Sequence, residues 1–141
     1  MTERVYIDSD IIIDFLYERK NFFSESAEIF SRLENSKLEG YVSSLIFWNI
    51  FYLLSKFLGE VEARKKIYQF RQLVKIIAID EKIIDLALKS AVKDFEDAIQ
   101  FYAAKSKGIE FFLTRNKKDY PKHDITILDC KEYLFHKRLQ K

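Results

Sequence analysis

The chain has 141 residues, 48% of them hydrophobic and 16% aromatic, which is enough to bury a substantial core in one domain spanning 1–141 and too apolar for general disorder. A formal charge of +2 gives no global basic field of the kind that announces nucleic acid, although it leaves room for a local basic groove. Cys130 stands alone, so an intrachain disulfide and a cysteine-rich zinc site are excluded and a cytoplasmic address is the expectation. No run of about 18 apolar residues predicts a membrane span, and Glu3 and Arg4 before a short strand do not make a signal peptide.

Val5 to Asp8 reads as a short buried strand, and Asp10 to Arg19 carries Ile11, Ile12, Phe15 and Leu16 at helical spacing, with Asp14 on the outer face. Ser24 caps the next helix, which turns Ala27, Ile29, Phe30 and Leu33 inward. Gly40 stops that segment, and a second strand opens at Tyr41-Val42 and ends at Ser43-Ser44. A helix follows to Leu58, ended by Gly59, and Glu60 to Leu73 is a further amphipathic helix. Lys75 to Ile79 is the third strand, and Asp80 caps a helix from Glu81 to Ser90. Asp94 precedes a helix from Phe95 to Lys107, closed by Gly108. Phe111 to Thr114 and Ile125 to Leu128 make strands four and five, and a last helix runs around Glu132 to Leu139. Strands alternating with helices predict an α/β fold: a three-layer α/β/α sandwich around a parallel sheet of about five strands.

Two strands end in polar groups, Val5-Tyr6-Ile7-Asp8 and Phe111-Phe112-Leu113-Thr114, and ligands of open parallel sheets collect at such carboxyl ends. Asp8 is either a helix cap or a site carboxylate. Asp94, Glu96 and Asp97 form a second acidic group, which helix capping and the helix dipole also explain. It directly precedes the small, apolar Ala98-Ile99 and Ala103-Ala104 face, where a carboxylate would be held rigidly beside the sheet edge. Asn116 and Asp119 make a third group, in a segment that also suits a polar turn. Asn49 is odd among Leu45, Ile46, Phe47, Trp48, Ile50 and Phe51, because a buried amide needs partners or a polar cleft. His123 and His136 are too scattered for zinc or a triad. Phosphate-loop, dinucleotide and nucleophile-elbow motifs are missing. Clustered carboxylates repel unless a cation sits between them, and a hard divalent ion with oxygen ligands fits.

Taken in order, Val5 to Leu16, Tyr41-Val42-Ser43-Ser44, Asp94 to Gln100 and Leu113 to Tyr120 resemble the PIN-domain nucleases, including VapC-type toxins of toxin–antitoxin pairs. The resemblance covers nearly the whole chain. It implies a compact fold that cleaves RNA with Mg²⁺ or Mn²⁺ held by three or four acids, leaving a 5′-phosphate and a 3′-hydroxyl. Asp8, Asp97 and Asp119 match the family's acids, with Asp94 and Glu96 as supplementary ligands. Ser9 and Thr114 match its small hydroxyl residues. Asn49 stands where the family carries its second acid, usually Glu, which implies a weaker metal site. Asn49 and Asn116 would position water or phosphate, and Arg115, Lys117 and Lys118 would steer the RNA backbone. A small antitoxin and a second copy of the chain are the implied partners, with the aromatic helix Phe47 to Phe57 serving the core first and an interface second. Two other readings stand beside it: a PIN-like domain that binds RNA or protein without cutting, and a haloacid-dehalogenase-type phosphatase suggested by Asp8-Ser9-Asp10. The phosphatase lacks its later motifs, because Thr114 comes too near the C-terminus for them.

Overall fold

The computed structural model describes residues 2–121 and 124–139, the side chains of 138 and 139 excepted, so His123 lies outside the described residues. Strand β1 (Glu3–Ile7) ends in Val5, Tyr6 and Ile7, all fully buried. It pairs in parallel with β2 (Leu38–Ser43) on one side and β4 (Phe111–Leu113) on the other. β3 (Val74–Ile77) and β5 (Thr126–Leu128) complete a parallel five-stranded sheet in the order β3-β2-β1-β4-β5. The order reverses between β1 and β4, so a crevice opens beyond their carboxyl ends.

Pleating sends alternate residues to opposite faces. Val5, Ile7, Phe111 and Leu113 meet α1 (Ser9–Leu16), α2 (Phe23–Glu34), α3 (Ile46–Leu58), α4 (Glu60–Arg71) and α7 (Cys130–Leu139) in one hydrophobic cluster. Tyr6 and Phe112, stacked at 4.8 Å, meet α5 (Glu81–Lys89) and α6 (Phe95–Ser106) in another. This is the expected three-layer sandwich. Ala98, Ala103 and Ala104 are fully buried, which lets α6 lie close against the sheet.

Several local expectations are corrected. Gly40 does not stop a helix; it lies inside β2, where a Cβ would stand 2.9 Å from Leu33 and 3.2 Å from Ile7. The helix ends earlier, at Glu34, with Ser36 in the left-handed region and Lys37 N–H donating to Arg32 O at 2.8 Å. Ser24 is not its cap: the amides of Phe22 and Phe23 already donate to Arg19 O, and the helix starts two residues sooner, at Phe23, with Phe22 at the cap position. Gly59, at φ +82, does close α3 as expected. α7 begins at Cys130 rather than Glu132 because Asp129 and Glu132 form a reciprocal cap, Glu132 N–H to Asp129 Oδ1 at 2.8 Å and Asp129 N–H to Glu132 Oε1 at 3.0 Å.

Asp14 is the largest departure. Expected on the outer face of α1, it is 1% exposed. Arg115 reaches it with two hydrogen bonds, Nε to Oδ2 at 2.7 Å and Nη2 to Oδ1 at 3.0 Å, and stacks its guanidinium over Phe22 at 4.1 Å. A charged residue on an otherwise isoleucine-rich helix is thus turned inward by a partner 101 residues away.

Candidate active site

Asp8 follows the last residue of β1 and caps α1, so the cap alternative holds, and the cap leaves its carboxylate at the end of the strand. It is 5% exposed and takes four donors at 3.0 Å or less. Ser9 N–H and Gln100 Nε2 reach its Oδ1 at 2.7 and 3.0 Å. The Thr114 and Tyr120 hydroxyls reach its Oδ2 at 2.8 and 2.9 Å, and Ser9 Oγ lies at 3.3 Å from Oδ1. β4 delivers Thr114 because it runs beside β1, with Ile7 opposite Leu113.

α6 brings the other acids. Asp94 caps it through the Asp97 N–H at 3.0 Å and remains exposed, while Glu96 and Asp97, in its first turn, are half-buried. The Tyr120 hydroxyl bridges Asp8 Oδ2 and Asp97 Oδ1, at 2.9 and 3.0 Å. A phenol has one hydrogen, so it serves one of these carboxylates at a time. Glu96 Oε2 accepts from Asn49 Nδ2 at 2.5 Å, and its Oε1 from Gln100 Nε2 at 3.3 Å. The acid expected at position 49 of α3 is therefore met across one hydrogen bond by an acid of α6.

The electrostatics record a shortage of positive charge. Burial first, and then Asp8, Asp94 and Asp119, push the Asp97 carboxyl up to about 6, against the hydrogen bond from Tyr120. Glu96 is raised by burial and by Asp8, Asp94 and Asp97, against the bond from Asn49. Asp10, at the start of α1, is raised to about 7 by burial and by Asp8. Its Oδ2 accepts from the Arg115 N–H at 3.0 Å, while its Oδ1 is buried without a donor. Orphaned and mutually repelling carboxylates with all-oxygen chemistry suit a hard divalent cation. Among the described residues, no three His, Cys, Asp or Glu side chains already converge as a ligand group. Tyr120 and Gln100 hydrogens stand between them, and a cation at Asp8 has to displace one of its donors.

Asp8, Ser9, Asn49, Glu96, Asp97 and Thr114 are thus brought together. Asp94 and Asp119 lie at the rim, near enough to raise Asp97, with Asp119 exposed on a short 3₁₀ turn at Lys117–Asp119. Asn116 is exposed, its N–H donating to Thr114 Oγ1 at 3.0 Å. The three basic residues fare differently. Arg115 is committed to Asp14, Lys117 pairs with Glu132 at 2.6 Å, and Lys118 is exposed. Sequence reasoning missed Gln100, Tyr120 and Tyr6 as contributors, and took Asp10 only as part of the Asp8-Ser9-Asp10 motif. For Gln100 a signal existed: it is a polar side chain on the Ala98-Ile99 and Ala103-Ala104 face, the same oddity that singled out Asn49.

The model of the PIN domain family matches residues 4–118. A curated protein, Ribonuclease VapC1 of Aquifex aeolicus (strain VF5), is 28% identical over 140 residues, with 94% of each chain covered. The DNA-bound VapBC of Salmonella typhimurium is similar in fold, with a TM-score of 0.68 at 17% identity over 92% of this chain and 99% of that one. So is VapC20 of Mycobacterium tuberculosis, a sarcin-ricin loop cleaving toxin, with a TM-score of 0.62 at 17% identity over 77% and 86%. Since the family model spans most of the sequence and its acids meet at the switch point of the sheet, the chain belongs to the PIN domain family.

Proposed function

We propose that this protein is a divalent-metal-dependent endoribonuclease that hydrolyses RNA phosphodiester bonds, and the toxin of a toxin–antitoxin pair. The observation that carries the reading is the meeting of Asp8, Glu96 and Asp97 at the carboxyl edge of β1, linked through Tyr120 and Gln100. Its similarity to a protein named as a ribonuclease supports RNA as the substrate.

Asp8, Glu96 and Asp97 would hold Mg²⁺ or Mn²⁺, with Asp94 and Asp119 completing the charge at the rim. Such a cation supplies activation of water and neutralisation of a phosphodiester oxygen. Ser9 and Thr114 fix the Asp8 carboxylate, and Asn49 fixes Glu96. Asn116, exposed beside Thr114, would position water or a phosphate. Lys118, exposed beside the site, would steer the RNA backbone. Lys117 joins it by giving up an exposed and therefore weak ion pair. Arg115 serves instead to hold the loop. A cytoplasmic setting belongs to the same proposal; among the described residues no helix is long and apolar enough to cross a membrane.

Two structures similar in fold are VapBC complexes, in keeping with a small antitoxin as partner, and a second copy is proposed with it. α3 offers the surface. It buries Ile46, Ile50 and Leu54 and leaves Trp48, Tyr52 and Phe57 exposed by half or more. The reading as a module that binds without cutting drew on Asn49, and the Glu96 carboxylate against that amide takes the support away.

Purified protein incubated with a mixed RNA pool and Mn²⁺, beside an Asp8→Asn control, tests the proposal. Cutting that depends on Mn²⁺ and vanishes in the control is the expected result. A control that cuts as well as the wild type would sink the site assignment, and no cutting by either would sink the nuclease.

A further inference from the structure

Behind the carboxylates Gln100 is itself held by buried polar groups, Tyr6 and the Ser43 N–H, that the metal reading has not used. Gln100 is fully buried on α6. Its Nε2 donates to Asp8 Oδ1 at 3.0 Å and to Glu96 Oε1 at 3.3 Å, and its Oε1 accepts from the Tyr6 hydroxyl at 3.2 Å. Tyr6, also fully buried, accepts in turn from the backbone N–H of Ser43 at 3.2 Å.

The direction of this hydrogen-bonded chain is fixed at its far end. A backbone N–H can only donate, so the Tyr6 oxygen accepts there and its one hydrogen is left for Gln100. Gln100 therefore turns its carbonyl oxygen to Tyr6 and both N–H groups to the acids. The opposite rotamer would set a carbonyl oxygen against two carboxylates and leave the Tyr6 hydrogen without an acceptor, in a place no water reaches. Here the count is complete, two hydrogens for two carboxylates, unlike the one hydrogen that Tyr120 divides between Asp8 and Asp97. Asn49 then holds the second oxygen of Glu96, so that carboxylate is gripped by an amide on each side.

We propose that Gln100 is a positioning residue, its amide locked in one orientation by Tyr6 and the Ser43 N–H, that aims Asp8 and Glu96 at a shared divalent cation. The proposal rests on the metal reading above. Groups that orient metal ligands typically contribute about 10–100-fold to metal affinity or activity.

The test is Mn²⁺ titration calorimetry without RNA on the wild type and on Gln100→Leu, Tyr6→Phe and Gln100→Glu, each checked for folding by circular dichroism and read well below its unfolding midpoint. Gln100→Leu is expected to weaken Mn²⁺ binding by about 10–100-fold. Tyr6→Phe touches neither carboxylate yet frees the amide to turn, and weakens binding severalfold. Gln100→Glu keeps an acceptor for Tyr6 but brings no N–H, and binds Mn²⁺ more weakly than wild type in spite of its added charge. Loss of stability with unchanged Mn²⁺ affinity in Gln100→Leu and Tyr6→Phe makes the chain a packing element and overturns the proposal; so does a gain of affinity in Gln100→Glu. Should the wild type bind no Mn²⁺, the metal reading fails by itself. The orientation is then decided by ¹⁵N spectra of the Gln100 side-chain amide. One proton is expected to move in Asp8→Asn and the other in Glu96→Gln, and an amide that responds to neither refutes the lock.

Discussion

Replacing Arg115 by methionine keeps the length of the side chain and much of its contact with Phe22 while removing the charge that faces Asp14. Asp14 is 1% exposed, so the carboxylate left behind can reach little water. Its remaining partner is Arg19, which is 47% exposed and stands 3.6 Å away without the paired geometry of Arg115. Removing one partner of a buried ion pair costs about 3–5 kcal/mol. Arg115 is 30% exposed and Arg19 remains, so the lower end applies, about 3 kcal/mol. For a chain of this size that is a fall in Tm on the order of 10 °C.

Urea unfolding followed by far-ultraviolet circular dichroism measures this, with the slope unchanged and the midpoint lowered. The double variant Asp14→Asn with Arg115→Met carries no orphan charge and is expected to be more stable than Arg115→Met alone, a coupling that a double-mutant cycle reads directly. The RNA side has its own signature. Arg115→Met, read well below its unfolding midpoint, leaves the dependence of RNA affinity on salt unchanged, whereas Lys118→Ala lowers the slope by about 0.7, one phosphate contact to a single strand. An Arg115→Met protein within 0.5 kcal/mol of wild type, or a salt slope that falls with Arg115 and not with Lys118, refutes the assignment of Arg115 to the scaffold.

Raised carboxyl groups bind their protons more tightly folded than unfolded. The stability they contribute is present below an ordinary carboxylate value and is lost as pH rises through about 6 for Asp97 and about 7 for Asp10. Melting without metal is therefore expected to worsen from pH 5 to 7.5, and the Mn²⁺-induced rise in Tm to be larger at pH 7.5; a rise that shrinks with pH contradicts the cluster. Tyr120→Phe keeps the ring 4.6 Å from Phe112 and removes a hydrogen bond to a charged acceptor, a loss of about 1.5–3 kcal/mol in metal-free protein. Mn²⁺ is expected to restore more stability to this variant than to wild type, since the hydroxyl no longer lies between Asp8 and Asp97; a smaller restoration in thermal shift assays argues against displacement. Glu96→Gln is expected to weaken Mn²⁺ binding about tenfold or more through loss of a charged oxygen ligand, and adding Asn49→Glu to regain a large part of it. Calorimetry showing no rescue would deny that Glu96 stands in for an acid at position 49.

Much of the fold was legible because its signals are local. Five short apolar runs, glycines after α3 and α6, and caps at Asp80 and Asp94 each announce themselves within a few residues. Asp8 and Thr114 were legible for a related reason: they end strands, and the topology of a parallel sheet places strand ends together. What escaped depends on distant partners. Asp14 looked solvated because periodicity places a charge outward by default, and nothing near it in the chain reveals Arg115. Tyr6, Gln100 and Tyr120 carried no signal of their joint role because their polar tips find partners 94, 92 and 112 residues away. Gly40 looked like a stop because the crowding that demands it comes from Leu33 above and Ile7 beside it, contacts made only after the sheet forms.

Asn49 teaches the same lesson for chemistry. Judged by position, an amide where the resemblance leads one to expect an acid removes one negative charge from the proposed metal site. Judged by placement, the charge has moved one hydrogen bond away, to Glu96 on the facing helix, with Asn49 Nδ2 and Gln100 Nε2 holding its two oxygens. A cation responds to where charge lies, not to which helix carries it, because Coulomb energy depends on distance. The amide is then no defect. It donates to the relocated carboxylate, which an acid at position 49 could do only by giving up its own charge, so the two residues are fitted to each other as a pair. Burial first, and then Asp8, Asp94 and Asp97, raise the Glu96 carboxyl, and the hydrogen bond from Asn49 works against them. A site assembled this way stays a strongly acidic cleft, and the enzyme reading survives the missing acid because the acid is not missing from the site.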